Sequence, residues 1–244
     1  MCGKIKECKK ALFFVRRDDK MYKRVLAIGD IHGNYKRLIN LWDKINFNDK
    51  EDFLVFLGDY IDRGKDSIKV LEFVMNVKNN NKNVRCLMGN HELMFTEYYT
   101  RNGLMENNYE DWVNTHNSGD VTLKQFQDYM IRDRKKMNKL IDFIHELDVY
   151  NEEIEGFFFS HAGLDQYKPI HEQTLYDLLW IREECFEEYD GELTVVIGHT
   201  PTEYFNTTKP IINDNNVIML DTGAYLPAGK LTCMDVLTGN YWQS

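Results

Sequence analysis

The sequence predicts an α/β domain built on parallel strands, and three observations carry that prediction. Six short apolar runs, rich in Val, Ile, Leu and Phe, each stop abruptly at a polar or Gly-polar pair. The first three are separated by segments whose apolar residues fall at helical spacing, and no Pro/Gly/Ser-rich linker divides the 244 residues. Continuous short apolar runs are the pattern of strands covered on both faces, and strand–helix alternation makes right-handed βαβ units. At 43% hydrophobic the chain is long enough for one sizeable core.

Residues 1–24 carry nine Lys/Arg against three acids and read as a basic N-terminal segment ahead of a domain over 25–244. The predicted strands are VLAIGD (25–30), FLVFLGD (53–59), VRCLMGN (84–90), GFFFSH (156–161), TVVIGH (194–199) and VIMLDTG (217–223). Leu38, Leu41, Trp42 and Ile45 form one helical stripe and Ile68, Leu71, Val74 and Met75 another. From Leu93 to Leu147 the strand signal disappears, which predicts a helical insertion at about 93–147. There Thr122, with Gln125 three positions on, can open a helix as a capping box, and the aromatic residues read as packing. LTCMDVLTGNYW (231–242) predicts a hairpin.

Charge narrows the function classes. Outside the first 24 residues there are 21 basic and 36 acidic residues, although the formal net charge is only −9. An acidic body argues against nucleic acid and anionic membrane as partners, because both need a basic face. No run has the length of a membrane span and ALFFV is too short for a signal-peptide core, so the expected location is cytoplasmic. Cys2, Cys8, Cys86, Cys185 and Cys233 are scattered and odd in number, the pattern of free thiols rather than a disulfide or zinc framework.

The ends of the six strands carry the chemistry. They present Asp30 with His32, Asp59, Asn90 with His91, His161, His199 and Asp221. One strand-end Asp usually makes a turn or a helix cap, and one His is usually structural. Four of the seven histidines fall at these positions, however, whereas His116, His145 and His171 lie outside them. Ligands of α/β sheets sit beyond the carboxyl ends of strands, so the expectation is one shared site.

The segments GDIHGN (from Gly29), GDYIDRG (from Gly58), GNHE (from Gly89), HAGL (from His161) and GHT (from Gly198) resemble, in order and spacing, the phosphoprotein phosphatase family of metallophosphoesterases. The resemblance covers Val25 to Leu237 and implies the calcineurin-like fold: two mixed β-sheets packed as a sandwich, flanked by helices, with a dinuclear metal site at one edge. It implies Asp30 and His32 on a first metal, Asp59 bridging both, and Asn90, His161 and His199 on a second. Carboxylate, imidazole and amide ligands without thiolate suit two divalent ions, Mn²⁺ foremost, with Fe or Zn²⁺ as alternatives. Such a pair can hold an attacking hydroxide and clamp a phosphoryl group. His91 is implied as the acid that protonates the leaving oxygen, Asp62 as its partner, and Arg63 as a phosphate clamp. Arg182 resembles the second phosphate-binding arginine of bacterial and phage members, its other reading being a helical surface ion pair with Glu183 or Glu184.

Met88 before GNHE, the single glycine of HAGL and a short C-terminal region place the chain nearer the bacterial and phage phosphatases. The function so implied is hydrolysis of phosphoserine and phosphothreonine, with phosphotyrosine as a further substrate, on phosphoprotein partners. The symmetrical diadenosine tetraphosphate hydrolases share GDIHG and GHT-like segments and are the alternative. They tend to lack the second Asp of GDYIDRG and to carry Asp after GNH, where this chain has Asp62 and Glu92. A non-catalytic module binding a partner through the insertion is the third reading, and the complete set of matched positions argues against it.

Overall fold

All six apolar runs fold as strands. The computed structural model describes residues 15–17, 20–100, 103–104, 112–113 and 117–244. An antiparallel pair, β1 (Val15–Arg17) and β2 (Lys20–Tyr22), precedes the sheets; the rest of the basic N-terminal segment, with Cys2 and Cys8, lies outside the described residues, as does His116. The first sheet has β3 (Arg24–Ile28), β4 (Asp52–Phe56) and β5 (Val84–Cys86) in parallel. The chain next forms a small antiparallel ladder, β6 (Tyr99–Thr100) with β7 (Gly103–Leu104), where the sequence predicts helix alone. Two-residue strands are too short to leave a period-2 signal.

In the second sheet β8 (Tyr150–Asn151) runs antiparallel to β9 (Phe157–Ser160). β9 lies parallel to β10 (Thr194–Ile197), and the edge is β11 (Ile211–Ile212) antiparallel to β12 (Val217–Met219), which is parallel to β10. The predicted hairpin, β13 (Thr232–Asp235) and β14 (Asn240–Gln243), completes the first sheet by pairing antiparallel with β3. The orders are β14-β13-β3-β4-β5 and β11-β12-β10-β9-β8.

Alternation along each strand explains why the runs are apolar throughout. Val25, Ala27, Phe53, Val55, Phe159, Val196, Ile218 and Met234 belong to one buried cluster shared by the two sheets. Their neighbours Leu26, Ile28, Leu54, Phe56, Phe158, Val195, Ile197, Val217 and Met219 join the larger cluster that includes the helices. Both faces are covered at these positions, which is why the central runs are apolar.

The helices are α1 (Tyr35–Ile45), α2 (Ser67–Asn80), α3 (Asn90–Tyr98), α4 (Gly119–Arg132), α5 (Arg134–His145), α6 (Leu175–Leu179) and α7 (Glu183–Phe186). Leu38, Leu41 and Ile45 of α1 and Leu71 and Val74 of α2 are buried as their stripes predict. The capping box at Thr122 does not form. Ser118 is the residue before α4, and Thr122 sits buried inside it, because the side chain is spent on a tertiary bond described below. The working capping box is Thr174 with Asp177 at the start of α6. Cys86, Cys185 and Cys233 are free and buried, and among the described residues no helix is long and apolar enough to cross a membrane.

The carboxyl ends of the two parallel strand sets meet at one edge of the sandwich. There Gly29, just after β3, lies so close to β12 that an added Cβ would fall 2.3 Å from the Leu220 carbonyl oxygen. Gly29→Ala is therefore expected to lower stability by about 1–3 kcal/mol, read as a shifted urea midpoint; an unchanged midpoint would mean the sheet ends can part freely.

Candidate active site

The loops after the strand ends bring the predicted residues together. Asp30, His32, Asp59, Asp62, Asn90, His91, His161, His199 and Asp221 are all buried. Their backbone is unusual: His32, Asp59, Asp62, Arg63 and His199 all have positive φ, from 46° to 68°. Such a conformation costs a non-glycine residue of order 1–2 kcal/mol, so something must hold it. The loop after β4 is held by Glu92, whose carboxylate is fully buried beneath it. Glu92 Oε1 accepts from the backbone N–H of Tyr60 and Ile61 at 2.8 and 3.1 Å, and Oε2 from Asp59 and Gly89 at 2.8 and 3.0 Å.

Each ring histidine is oriented through a backbone carbonyl. Nδ1 of His32 and of His161 donates to Ile61 O and Leu57 O, both at 2.9 Å, and Nε2 of His199 donates to Trp180 O at 3.3 Å. The other nitrogen of each ring then faces the centre. His32 Nε2 lies 3.3 Å from Asp59 Oδ2 and has no hydrogen-bond partner among the described residues. His161 Nε2 lies 3.0 Å from Asn90 Oδ1 and 3.4 Å from Asp59 Oδ1, and His199 Nδ1 lies 3.1 Å from the same Asn90 oxygen. Asp30 accepts the His199 backbone N–H with both oxygens at 3.1 Å.

Burial and the nearby Arg63 hold His32 well below its ordinary pKa, and burial with His161 does the same to His199. Both rings are thus neutral, and each turns a lone pair toward an oxygen that is itself an acceptor. Acceptors gathered face to face are repulsive unless a cation lies among them, and nitrogen with carboxylate and amide oxygen is a donor set for borderline divalent ions. The residues therefore fit metal. Asp30, Asp59 and His161 form one cluster of possible ligands and His32, Asp59 and His91 another, with Asp59 common to both.

His161 shows the same electrostatics from the other side. Burial opposes its charge, but the carboxylates of Asp59 and Asp30 push its pKa up to about 9. The clustered carboxylates thus favour positive charge at this point. For Asp59, burial works against ionisation, yet His161 and His91 outweigh it and hold the carboxyl well below the usual range.

Next to this centre, His91 Nδ1 donates to Asp62 Oδ2 at 2.7 Å, and Arg63 Nη2 lies 3.4 Å from His91 Nε2. The Arg63 guanidinium stacks 4.0 Å over the ring of Tyr225, whose edge meets His32. Arg182 does not take the helical surface-pair geometry. It precedes α7, and its Nη1 reaches the His199 carbonyl at 3.3 Å and Thr200 Oγ1 at 3.0 Å, which draws it to the site. His145 and His171 are exposed.

The sequence reading leaves several participants without their roles. Glu92 serves there only to separate two branches, although Glu at the third position of a helix that starts on a ligand is itself a cue. Tyr225 lies in a loop without a pattern. Asp221, a strand-end candidate given no specific role there, has one oxygen bonded to Gly223 N at 2.9 Å, and its Oδ2 has no partner among the described residues; burial raises its pKa to about 6. Thr122, read as a cap, bonds Asp62.

This geometry has a counterpart among known proteins, because the profile of the Calcineurin-like phosphoesterase family matches residues 23–223. The chain belongs to that family. Symmetrical bis(5'-nucleosyl)-tetraphosphatase of Buchnera aphidicola is 40% identical over 88 residues, 36% of this chain and 30% of that one. The chain thus spans under a third of the length of this relative. Two relatives match over 84% of the chain: the asymmetrical bis(5'-nucleosyl)-tetraphosphatase PrpE of Bacillus cereus, 28% identical over 87% of its length, and serine/threonine-protein phosphatase 2 of Salmonella typhimurium, 25% identical over 89% of its length. A cold-active protein tyrosine phosphatase shares the fold, with a TM-score of 0.61 at 19% identity over 90% of this chain and 80% of that one. The matched residues include both buried clusters of candidate metal ligands.

Two outcomes follow for the metal-stripped family member. Metal uptake at pH 7 is expected to release protons, with His161 as one source, and the His161 share to fade as pH rises through about 9. Calorimetry in two buffers of different ionisation enthalpy measures it, and zero release at pH 7 would show His161 neutral. Glu92→Gln leaves one oxygen for donors that now use two, so a loss of about 1–3 kcal/mol per orphaned buried N–H is expected in urea unfolding, together with a lowered metal content. Retention of both would show that the loop holds itself.

Proposed function

We propose that the protein is a metal-dependent protein phosphatase acting on phosphoserine and phosphothreonine, and on phosphotyrosine as a further substrate. The observation that carries this reading is the His91–Asp62 pair with Arg63 beside it: an imidazole oriented by a buried carboxylate next to a guanidinium able to bind two phosphoryl oxygens. Asp30, His32 and Asp59 would hold one metal ion, and Asp59, Asn90, His161 and His199 would hold a second. Mn²⁺ suits these donors best, with Fe and Zn²⁺ as alternatives. The ions supply Lewis acidity toward the phosphoryl oxygens and an acidified water.

The chain's own groups do the rest. Arg63 and Arg182 bind the phosphoryl oxygens, and the planar fork of each fixes their orientation. Tyr225 stiffens Arg63 from beneath. A P–O bond forms to a water oxygen whose proton has passed to solvent, while the ester P–O bond breaks, its electron pair staying on the leaving oxygen. His91 gives that oxygen the proton of Nε2, and Asp62 holds the ring at Nδ1 and stabilises the imidazolium beforehand. Burial opposes the charge on His91, but Asp59 and Asp62 raise its pKa, which supports the acid role.

The acidic body favours a phosphoprotein over a dinucleoside tetraphosphate, since a chain of four phosphates would meet repulsion beyond the two arginines. The PrpE match, over nearly the whole chain, is the observation behind the alternative, a tetraphosphatase. Metal-stripped protein, with and without Mn²⁺, offered a phosphothreonine peptide and diadenosine tetraphosphate in parallel, separates the two. Mn²⁺-dependent phosphate release from the peptide is expected. Nucleotide products alone would move the chain to the tetraphosphatases, and silence on both would leave a binding module.

A further inference from the structure

We propose that Trp112 and Thr122, both in the predicted insertion, are positioning residues for the His91–Asp62 acid pair, so that the insertion sets how well the leaving group is protonated. This rests on the acid role just given to His91. The Asp62 oxygen that accepts His91 Nδ1 at 2.7 Å also accepts the indole Nε1–H of Trp112 at 2.8 Å. The other oxygen, Oδ1, is buried with no partner among the described residues. Among the described residues the carboxylate is therefore anchored at one atom only, by two donors, His91 from α3 and Trp112 from the insertion. The backbone N–H of Asp62 donates to Thr122 Oγ1 at 3.0 Å and to Ser67 Oγ at 3.2 Å. Those bonds restrain a residue whose φ is 68°.

Trp112 is not free to drift from this post. Its ring is fully buried, at 5.6 Å from Phe95 and 5.0 Å from Tyr98 between centroids. On the opposite side α4 starts at Gly119, where an added Cβ would fall 2.7 Å from the indole carbons and 2.4 Å from the Trp112 carbonyl oxygen. Glycine is required there because helix and ring lie in direct contact. An indole N–H can only donate, and a buried one needs an acceptor; here the acceptor is the carboxylate that aims the acid. Without that N–H, Asp62 is free to turn toward its unpartnered oxygen and His91 turns with it.

The full-length, Mn²⁺-loaded protein tests this on aryl phosphates running from 2,4-dinitrophenyl phosphate, whose leaving group needs no proton, to phenyl phosphate, whose leaving group does. Trp112→Phe keeps an aromatic six-membered ring and removes the N–H with the pyrrole half of the indole. It is expected to lower kcat on phenyl phosphate roughly 10-fold to 100-fold, to leave 2,4-dinitrophenyl phosphate within about twofold, and to leave KM unchanged. His91→Ala is expected to give the same slope, enlarged to roughly 10²–10⁴ on phenyl phosphate. Equal falls on both substrates, or no fall, in Trp112→Phe beside a steep His91→Ala slope would overturn the positioning role alone. A flat His91→Ala series would remove the acid itself and the proposal with it. Should Trp112→Phe not fold, Thr122→Val probes the pair from the backbone side; it is expected to show the same slope, with Thr122→Ser restoring wild-type values, and a flat Thr122→Val series would refute the proposal.

Discussion

The site depends on one buried carboxylate that touches no substrate. Glu92 gathers the backbone N–H groups of Asp59, Tyr60, Ile61 and Gly89 onto two oxygens and so ties the loop after β4 to the start of α3. The loop needs it, because Asp59, Asp62 and Arg63 all occupy left-handed backbone at once. Charge-assisted hydrogen bonds worth about 1.5–3 kcal/mol each are of the size needed to offset that cost. Burial, then the nearby Asp59 charge, raises the Glu92 pKa to about 7, so the tether itself works against desolvation. The arrangement persists because every lone pair that faces the loop finds a donor.

A second constraint acts at the centre. His32, His161 and His199 are each turned by a backbone carbonyl so that a nitrogen points inward, toward oxygens that cannot donate. The fold thus spends its packing on making an arrangement that is electrostatically incomplete by itself. The strained backbone and the convergent acceptors are two aspects of one design, since positive φ at His32, Asp59 and His199 turns their side chains back toward the meeting point of the two sheets.

Much of this is legible in the sequence, for physical reasons. Strands dry on both faces must be apolar throughout, so β3, β4, β9, β10 and β12 announce themselves, and a polar residue ending such a run can only stand at its mouth. The site residues are readable for the same reason. What escapes is whatever a tertiary contact decides. Thr122 and Gln125 fit a capping box, but the Thr122 hydroxyl gains more by accepting from buried Asp62 than by ending a helix that Ser118 already precedes. Arg182 beside Glu183 and Glu184 imitates a surface pair; its partner, the His199 carbonyl, is brought by another strand. The short β6–β7 ladder leaves no periodic trace, and nothing in its local sequence distinguishes Trp112 from a packing aromatic.

The contributions fall into two structural classes. The ligand cluster is assembled at the edge of the two sheets, and shifting any strand there moves several ligands at once, which leaves little freedom for change. The acid pair is different. His91 comes from α3 and Asp62 from the tethered loop, but the atom that orients them is shared with an indole from outside the sheets. A scaffold of this kind separates the phosphoryl-binding centre from the device that handles the leaving group. Relatives named for dinucleotide tetraphosphates and for proteins share the profile or the fold of this chain, and those substrates differ in what leaves rather than in what is attacked. The proposed dependence of the acid on Trp112 and Thr122 makes the insertion part of the device that handles the leaving group.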